Sequence, residues 1–150
     1  NFEKLVNYLI KNRELINIFY YNAPLDREKN EEGYRKQQQF FDKIKRIPKF
    51  NLVLCRMQKR KVDNIIIYEV KEDDIHMAVD MVKLAYNNSY DTAMVISTDG
   101  DFVPAIEAVK EKGKLVENVG FDKKFSWHLR QKSNKFKQLK KYELLNFFDN

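Results

Sequence analysis

The sequence has very little cysteine, histidine and glycine, and each shortage excludes a class of site. Cys55 is the single cysteine, and His76 and His128 are the two histidines among 150 residues. This excludes an internal disulfide, a multi-cysteine zinc site and a histidine-rich metal site. The four glycines are far apart, so the chain has neither a GxGxxG dinucleotide turn nor a Walker-type phosphate loop. One cysteine fits a reducing compartment, and we expect a cytoplasmic protein.

Long hydrophobic runs are also absent. No apolar run approaches the roughly 18 residues of a membrane-spanning helix, and charged residues interrupt residues 1–16, so no signal peptide is predicted. Hydrophobic residues make up 43% and charged residues 33%, a balance typical of a folded domain. We expect one domain over residues 1–150, without a membrane partner, and a homodimer is left open. The net charge of +6 favours a polyanionic partner.

Helical and strand patterns alternate along the chain. They predict helices over residues 2–13, 28–47, 73–87, 102–112, 125–132 and 142–148. They predict strands over residues 16–21, 51–57, 65–68, 92–97 and 115–119. The apolar run 92–97 is typical of a strand buried on both faces. The alternation predicts an α/β fold with a mainly parallel sheet covered by helices, and a ligand crevice at the carboxyl ends of the strands.

Two acidic groups stand where such a crevice is expected. Asp99, Gly100 and Asp101 directly follow the most apolar strand, and Asp73 and Asp74 open the helix 73–87. Glycine lets the backbone bend sharply, so the turn can project two carboxylates. Carboxylate oxygens are ligands that suit Mg²⁺ or Mn²⁺. A metal held there can activate water and stabilise charge on a phosphoryl oxygen.

Each of these aspartates also has an ordinary structural explanation. Asp73 can be a helix N-cap, and Asp74 in the first turn suits the helix dipole. Asp101 can be the N-cap of the helix 102–112. Asp80 lies on a polar helix face together with His76, and alone it is typical of a solvated side chain.

Residues 74–82 (DIHMAVDMV) and 90–104 (YDTAMVISTDGDFVP) resemble the NYN domain, a branch of the PIN-like metal-dependent ribonucleases. The resemblance continues through Gly113–Val116 and the segment from Leu129 to Phe136. It implies a PIN-like three-layer sandwich that cleaves RNA with Mg²⁺ or Mn²⁺. It assigns the metal-binding and catalytic acids to Asp74, Asp99 and Asp101, and supporting positions to Asp80 and Ser97.

The chain departs from the family pattern at three places. The family's Lys-Gly-x-Asp reads Lys-Glu-Asp-Asp over residues 71–74, so Asp73 is an alternative to Asp74. A family aspartate before Phe136 is Asn134 here. The family also opens with a strand that ends in Asp-Gly-x-Asn, and this sequence starts at Asn1. We expect an upstream strand with a further ligand aspartate, and Asn1 at the mouth of the site.

Basic residues form two groups that are candidates for binding RNA phosphates. The first basic cluster is Arg56, Lys59, Arg60 and Lys61, and Lys71 is a further candidate. The second basic cluster is Lys123, Lys124, Arg130, Lys132, Lys135, Lys137, Lys140 and Lys141. Aromatic faces can stack unpaired bases, but we expect Phe125, Trp127 and Phe136, which interrupt the second cluster, to be buried.

The sequence therefore favours a metal-dependent ribonuclease. Two other functions stay open at this point. The first is a non-catalytic RNA-binding or scaffold protein that keeps the fold but lacks the full set of ligands. The second is another phosphoryl-transfer enzyme such as a phosphatase. The phosphatase pattern usually places its aspartate directly at the end of the first strand, whereas Ser97 and Thr98 intervene here and the motif comes late in the chain.

Overall fold

The computed structural model describes residues 1–122 and 124–148. The chain divides into two compact units, one formed by residues 12–77 and the other by residues 1–11 together with 78–150. We call them the hairpin unit and the parallel-sheet unit. Both contain strands with helices packed on them, which confirms the predicted α/β class with parallel sheets flanked by helices.

The hairpin unit begins with two parallel strands joined by a helix. Strands β1 (Ile18–Asn22) and β2 (Phe50–Leu54) pair in parallel, and α2 (Glu31–Ile44) connects them. The helix starts at an asparagine cap, since Asn30 Oδ1 accepts a hydrogen bond from Gly33 N at 2.8 Å. Its apolar stripe buries Phe41 and Ile44, which supply the core of this unit.

The hairpin consists of β3 (Arg56–Val62) and β4 (Ile65–Lys71), which pair antiparallel. Asp63 and Asn64 connect them with positive φ angles of 47° and 65°, as a two-residue type I′ turn requires. The strand predicted over residues 51–57 is confirmed as β2, but its predicted end is wrong, because β2 ends at Leu54 and a second strand starts at Arg56. Most positions of β3 are exposed, so no alternating apolar pattern marked it.

The parallel-sheet unit is built on three strands in the order β5–β6–β7. They are β5 (Thr92–Ile96), β6 (Leu115–Phe121) and β7 (Lys135–Leu139), and both pairings are parallel. Its helices are α1 (Phe2–Ile10), α4 (Val103–Glu111), α5 (Trp127–Lys132) and α6 (Lys141–Leu145), with most of α3 (Asp73–Tyr86), which begins in the hairpin unit. Leu9, Val119 and Leu139 form a buried cluster between helix and sheet.

One prediction for this sheet is wrong, and one of its strands was missed. The run 92–97 is not buried on both faces, because Val95 is buried whereas its neighbour Ile96 is 42% exposed. Within the described residues, β5 pairs with β6 alone. An apolar run does not reveal whether a second layer covers its outer face. Strand β7 was not predicted, because its alternating lysines are typical of an exposed surface segment.

None of the described helices is both long enough and apolar enough to cross a membrane.

Candidate functional site

The acidic turn, residues Asp99 to Asp101, directly follows the end of β5. Asp99 caps a single 3₁₀ turn over Gly100–Phe102, and its Oδ1 accepts a hydrogen bond from Asp101 N at 2.9 Å. Asp99 N in turn donates to Ser97 Oγ at 3.1 Å. Both aspartates are exposed. Among the described residues, the Asp101 carboxylate makes no hydrogen bond or ion pair.

The glycine of this turn has a different role from the one predicted. Gly100 does not have a positive φ angle, so the turn does not depend on left-handed backbone. Instead, its Cα faces α5 closely. A Cβ added there would lie 3.3 Å from Ser126 Oγ and 3.6 Å from His128 Nδ1. Glycine therefore allows the acidic turn to approach Ser126 and His128.

A buried asparagine on the central strand holds the end of β5. Asn118 is fully buried, and its Nδ2 donates to Val95 O at 3.1 Å and to Ser97 O at 3.0 Å. A chain of hydrogen bonds thus runs from Asn118 through Ser97 to Asp99 and then to Asp101. This chain orients the Asp99 carboxylate and fixes the backbone of Asp101 at the carboxyl end of the strand, where the crevice was predicted.

The other predicted acids lie on α3. Asp73 is the first helical residue rather than a residue before the helix, and Asp73 and Asp74 both lie in the first turn, where their charge suits the helix dipole. Asp74 belongs to the hairpin unit. Asp80 lies further along, in the parallel-sheet unit with the acidic turn.

The parallel-sheet unit brings together Ser97, Asp99 and Asp101. In residues 1–122 and 124–148, no three His, Cys, Asp or Glu side chains form a group that could hold a metal ion, so Asp80 does not complete a three-carboxylate cluster with the turn. Asn1 caps α1, with its Oδ1 accepting from Lys4 N at 3.2 Å.

Glu72, which stands where the family pattern has a glycine, has an unusual backbone conformation. Glu72 has a φ angle of 77°, which favours glycine and costs other residues energy. Its carboxylate accepts a hydrogen bond from Arg56 Nε at 2.9 Å. The glycine of the family pattern therefore matches a backbone requirement at the start of α3, and this chain meets it with a strained glutamate.

The first basic cluster is distributed over both sides of the hairpin. Its residues lie within β3, where successive side chains point to opposite faces, so Lys59 and Lys61 do not share a face with Arg56 and Arg60. Arg56 also pairs with Glu72, and Lys71 pairs with Glu69 at 2.9 Å. The cluster is thus less concentrated than the sequence indicated.

The residues of the second basic cluster differ in the side chains that they contact. Lys132 pairs with Glu107 at 2.6 Å, and Lys135 pairs with Glu117 at 3.5 Å. Lys124 is exposed, whereas Lys123 lies outside the described residues. The guanidinium of Arg130 lies over the Trp127 ring, 4.9 Å from its centroid.

The aromatic residues of this segment correct the prediction that they are buried. Trp127 is 61% exposed, and Phe125 and Phe136 are only partly buried. Sequence reasoning missed Trp127 and also missed Asn118 and His128 as neighbours of the acidic turn. The alternation of aromatic and basic residues was a signal for the first, but no sequence signal marked the other two.

Three titratable groups of the hairpin unit have shifted pKa values, and one of them, the Glu69 carboxyl, has its pKa lowered by its hydrogen bond with Lys71. A cavity of about 160 Å³ is lined by Leu25, Asp26, Lys29, Asn30, Met57 and Tyr68. A hydrogen bond from the Tyr68 side chain lowers the pKa of the Asp26 carboxyl. Cys55 is buried, and burial raises the pKa of its thiol, which disfavours the reactive thiolate.

Comparison with known proteins identifies the family. The uncharacterized protein MJ0482 of Methanocaldococcus jannaschii is 42% identical over 57 residues, which are 38% of this chain and 24% of that protein. The chain therefore spans about a quarter of that relative. A solved structure, the protein of unknown function VPA0982 from Vibrio parahaemolyticus, shares the fold with a TM-score of 0.71 at 20% identity, covering 93% of this chain and 78% of that one. The model of the NYN domain matches residues 1–140. The chain therefore belongs to the NYN domain family, within the PIN-like nuclease superfamily.

Proposed function

We propose that the protein is a metal-dependent ribonuclease that hydrolyses RNA phosphodiester bonds at the acidic turn. The observation that carries this proposal is the placement of Asp99 and Asp101. Both are exposed, both stand at the carboxyl end of a parallel strand, and the Asp101 N–H orients the Asp99 carboxylate. Capping the turn requires only the Asp99 carboxylate, so helix capping does not explain the presence of Asp101.

The donor set fits Mg²⁺ or Mn²⁺. Mg²⁺ is usually bound by one or two carboxylates, and waters and substrate phosphates complete its coordination. Asp99 keeps Oδ2 outside the turn hydrogen bond, and Asp101 offers its carboxylate, so the turn supplies two ligands of this type. The family pattern adds Asp74, with Asp73 as its alternative, as a further candidate ligand, and Asp80, Ser97 and Asn1 as supporting residues. When bound, the metal activates water and stabilises charge on the phosphoryl group.

The protein's own residues orient the reactants. The Asp101 N–H holds Asp99 Oδ1, so the Asp99 carboxylate does not rotate freely. Ser97 fixes the backbone before it, and Asn118 fixes Ser97. The cations of Lys124 and Arg130 attract the phosphate backbone, whose charge the two aspartates alone would repel.

A second function, RNA binding without cleavage, also has an observation in its favour. Two carboxylates lie together in the acidic turn, but no group of three His, Cys, Asp or Glu that could hold a metal forms in the described part of the chain. A protein of this kind keeps the basic and aromatic surfaces and binds RNA equally well in metal and in chelator.

A cleavage assay separates the two functions. Mixed single-stranded and structured RNAs are incubated with the protein in Mn²⁺, in Mg²⁺ and in chelator, and the products are resolved on a gel. The nuclease produces fragments only with metal, and the double variant Asp99→Asn/Asp101→Asn binds RNA without producing fragments. Full-length RNA in every lane, together with retained binding, would establish the non-catalytic function.

A stability comparison separates a metal ligand from a helix cap. Asp99→Asn retains an oxygen that can accept the Asp101 N–H, and asparagine caps helices about as well as aspartate. Asp99→Ala loses the cap, at a cost of about 1 kcal/mol. If Asp99 is only a cap, Asp99→Asn keeps every property of the wild type; if it is a ligand, Asp99→Asn remains stable but inactive.

A further inference from the structure

An exposed tryptophan is held rigidly on the surface of the parallel-sheet unit. Trp127 is the first residue of α5 and is 61% exposed. Phe125 packs against it at 6.0 Å between ring centroids, and the Arg130 guanidinium lies 4.9 Å from its centroid. Arg130 also lies 5.3 Å from the Phe136 ring centroid. These contacts fix the indole while leaving most of its surface in solvent.

The indole belongs to the segment that borders the acidic turn. Its two chain neighbours, Ser126 and His128, are the side chains that border Gly100, at 3.3 Å and 3.6 Å from the position of an added Cβ. Gly100 stands between Asp99 and Asp101. Trp127 therefore belongs to the segment that contacts the acidic turn, since it lies directly between the two residues that border Gly100.

The chemistry of this surface fits an unpaired nucleobase. An exposed indole offers a flat face on which any base can stack, and an arginine beside it adds a cation for the neighbouring phosphate. Bases in a duplex are already stacked on each other, so a protein ring competes for them only in single strands, loops or ends. Lys124, three residues before the indole, is exposed and adds positive charge.

We propose that Trp127 and Arg130 form a stacking site for one unpaired base of single-stranded RNA beside the acidic turn. The proposal rests on the proposed function for its choice of RNA as the ligand. It adds that Trp127 holds an unpaired base near the scissile phosphate.

The protein contains one tryptophan, so its fluorescence reports on this site directly. The wild-type protein is titrated in chelator with a single-stranded oligoribonucleotide, with the same oligonucleotide carrying abasic positions, and with a duplex of equal length. Stacking predicts that the single strand quenches the fluorescence, whereas the abasic strand and the duplex do not. Because chelator prevents metal-dependent cleavage, binding is measured separately from hydrolysis.

Substitution provides the second readout. Trp127→Ala should weaken single-strand binding roughly 5- to 150-fold, the range for loss of one stacked base, and Trp127→Phe should weaken it less. Tyr86→Ala is the matched control, because Tyr86 is 53% exposed in the same unit and Lys112 lies 5.2 Å from its ring centroid. This control should bind like the wild type.

Fluorescence that responds equally to single strand and duplex, or does not respond while RNA binds, would mean that no base stacks on Trp127. Trp127→Ala binding as tightly as Tyr86→Ala would mean the same, and the exposed indole would then serve another partner such as a peptide. Quenching and loss of binding without cleavage by any variant would support the stacking site and refute the nuclease, so the two proposals fail separately.

Discussion

The buried asparagine behind the acidic turn offers the most specific test of the structure. Asn118 donates two hydrogen bonds through Nδ2, to Val95 O and Ser97 O. In Asn118→Asp, the shape of the side chain is kept but both donors are replaced by an oxygen that faces two carbonyl oxygens. The introduced carboxyl is also fully buried, where its ionised form is costly.

The size of the effect follows from these contacts. Two lost hydrogen bonds cost about 1 kcal/mol each, and an unpaired buried charge raises the loss to about 3–5 kcal/mol at neutral pH. For a chain of this length, 1 kcal/mol corresponds to roughly 2–4 °C in melting temperature. We therefore expect Asn118→Asp to melt roughly 6 °C or more below the wild type.

The defect should depend on pH with a definite sign. Burial raises the pKa of the introduced carboxyl in the folded state, and its protonated form can donate one hydrogen bond to a carbonyl oxygen. The defect is therefore smallest below the pKa of the unfolded carboxyl, about 3.9. It grows as the pH rises through that value towards the folded pKa.

Asn134→Asp is a matched control for Asn118→Asp. Asn134 precedes β7, and its Oδ1 accepts a hydrogen bond from Val116 N at 2.8 Å. Asn134→Asp keeps that acceptor and introduces the residue that the family pattern carries there, so its free energy of unfolding should change by no more than about 0.5 kcal/mol. Thermal melting of both variants at pH 4 and pH 7 checks the prediction. Equal and small changes would refute the hydrogen-bond chain from Asn118 to the turn.

Three further predictions concern single side chains. Glu72→Gly should be more stable than Glu72→Ala by about 1 kcal/mol in urea unfolding. Both variants lose the ion pair with Arg56, but only glycine accepts the φ angle of 77° without strain. Equal stabilities of the two variants would contradict a strained backbone at residue 72. Burial raises the pKa of Tyr90 to about 12, and its hydroxyl donates to Met81 O at 2.7 Å. Tyr90→Phe should therefore cost about 1 kcal/mol near neutral pH. The stability that the protonated tyrosine contributes below pH 10 should be lost as the pH rises to about 12. A difference in melting temperature between wild type and variant that stays constant from pH 8 to pH 11 would contradict this prediction. Lys124→Gln should reduce the slope of the logarithm of the RNA-binding constant against the logarithm of salt concentration by about 0.7. Lys71→Gln should change this slope less, because Lys71 already pairs with Glu69. Identical slopes for the wild type and Lys124→Gln would show that Lys124 does not contact phosphate.

Much of the architecture was predictable because its signals are local. The helix at residues 73–86 and the strands at 92–96 and 115–121 have the apolar periodicity of their elements, and the structure shows them close to the predicted bounds. The acidic turn follows β5 as predicted, since polar residues directly after an apolar strand favour a turn.

The errors come from information that a local pattern does not contain. Whether Ile96 is covered depends on a second layer, and nothing in residues 92–97 specifies it. The hairpin of β3 and β4 was only partly recognised, because its exposed strands lack alternation and its turn uses Asp63 and Asn64 without glycine.

The candidate site was predictable in its residues rather than in its geometry. Asp99 and Asp101 were identified from their order after an apolar strand. Their support from Asn118 depends on which strand pairs with β5, a long-range contact that sequence periodicity does not encode. The exposure of Trp127 likewise depends on tertiary packing, and its aromatic composition favoured a buried position.

The most direct test of the account is the rate at which the protein cleaves a defined single-stranded RNA in Mn²⁺, measured under single-turnover conditions for the wild type, Asp99→Asn and Asp91→Asn. Asp91 is an exposed aspartate at the opposite end of the same strand, so it matches Asp99 in charge and differs in position. We expect Asp91→Asn to cleave like the wild type and Asp99→Asn to lose roughly 100-fold or more, the scale of several kcal/mol of lost charge stabilisation, with its melting temperature unchanged. Equal rates for all three proteins would contradict the assignment of the acidic turn as the site of cleavage.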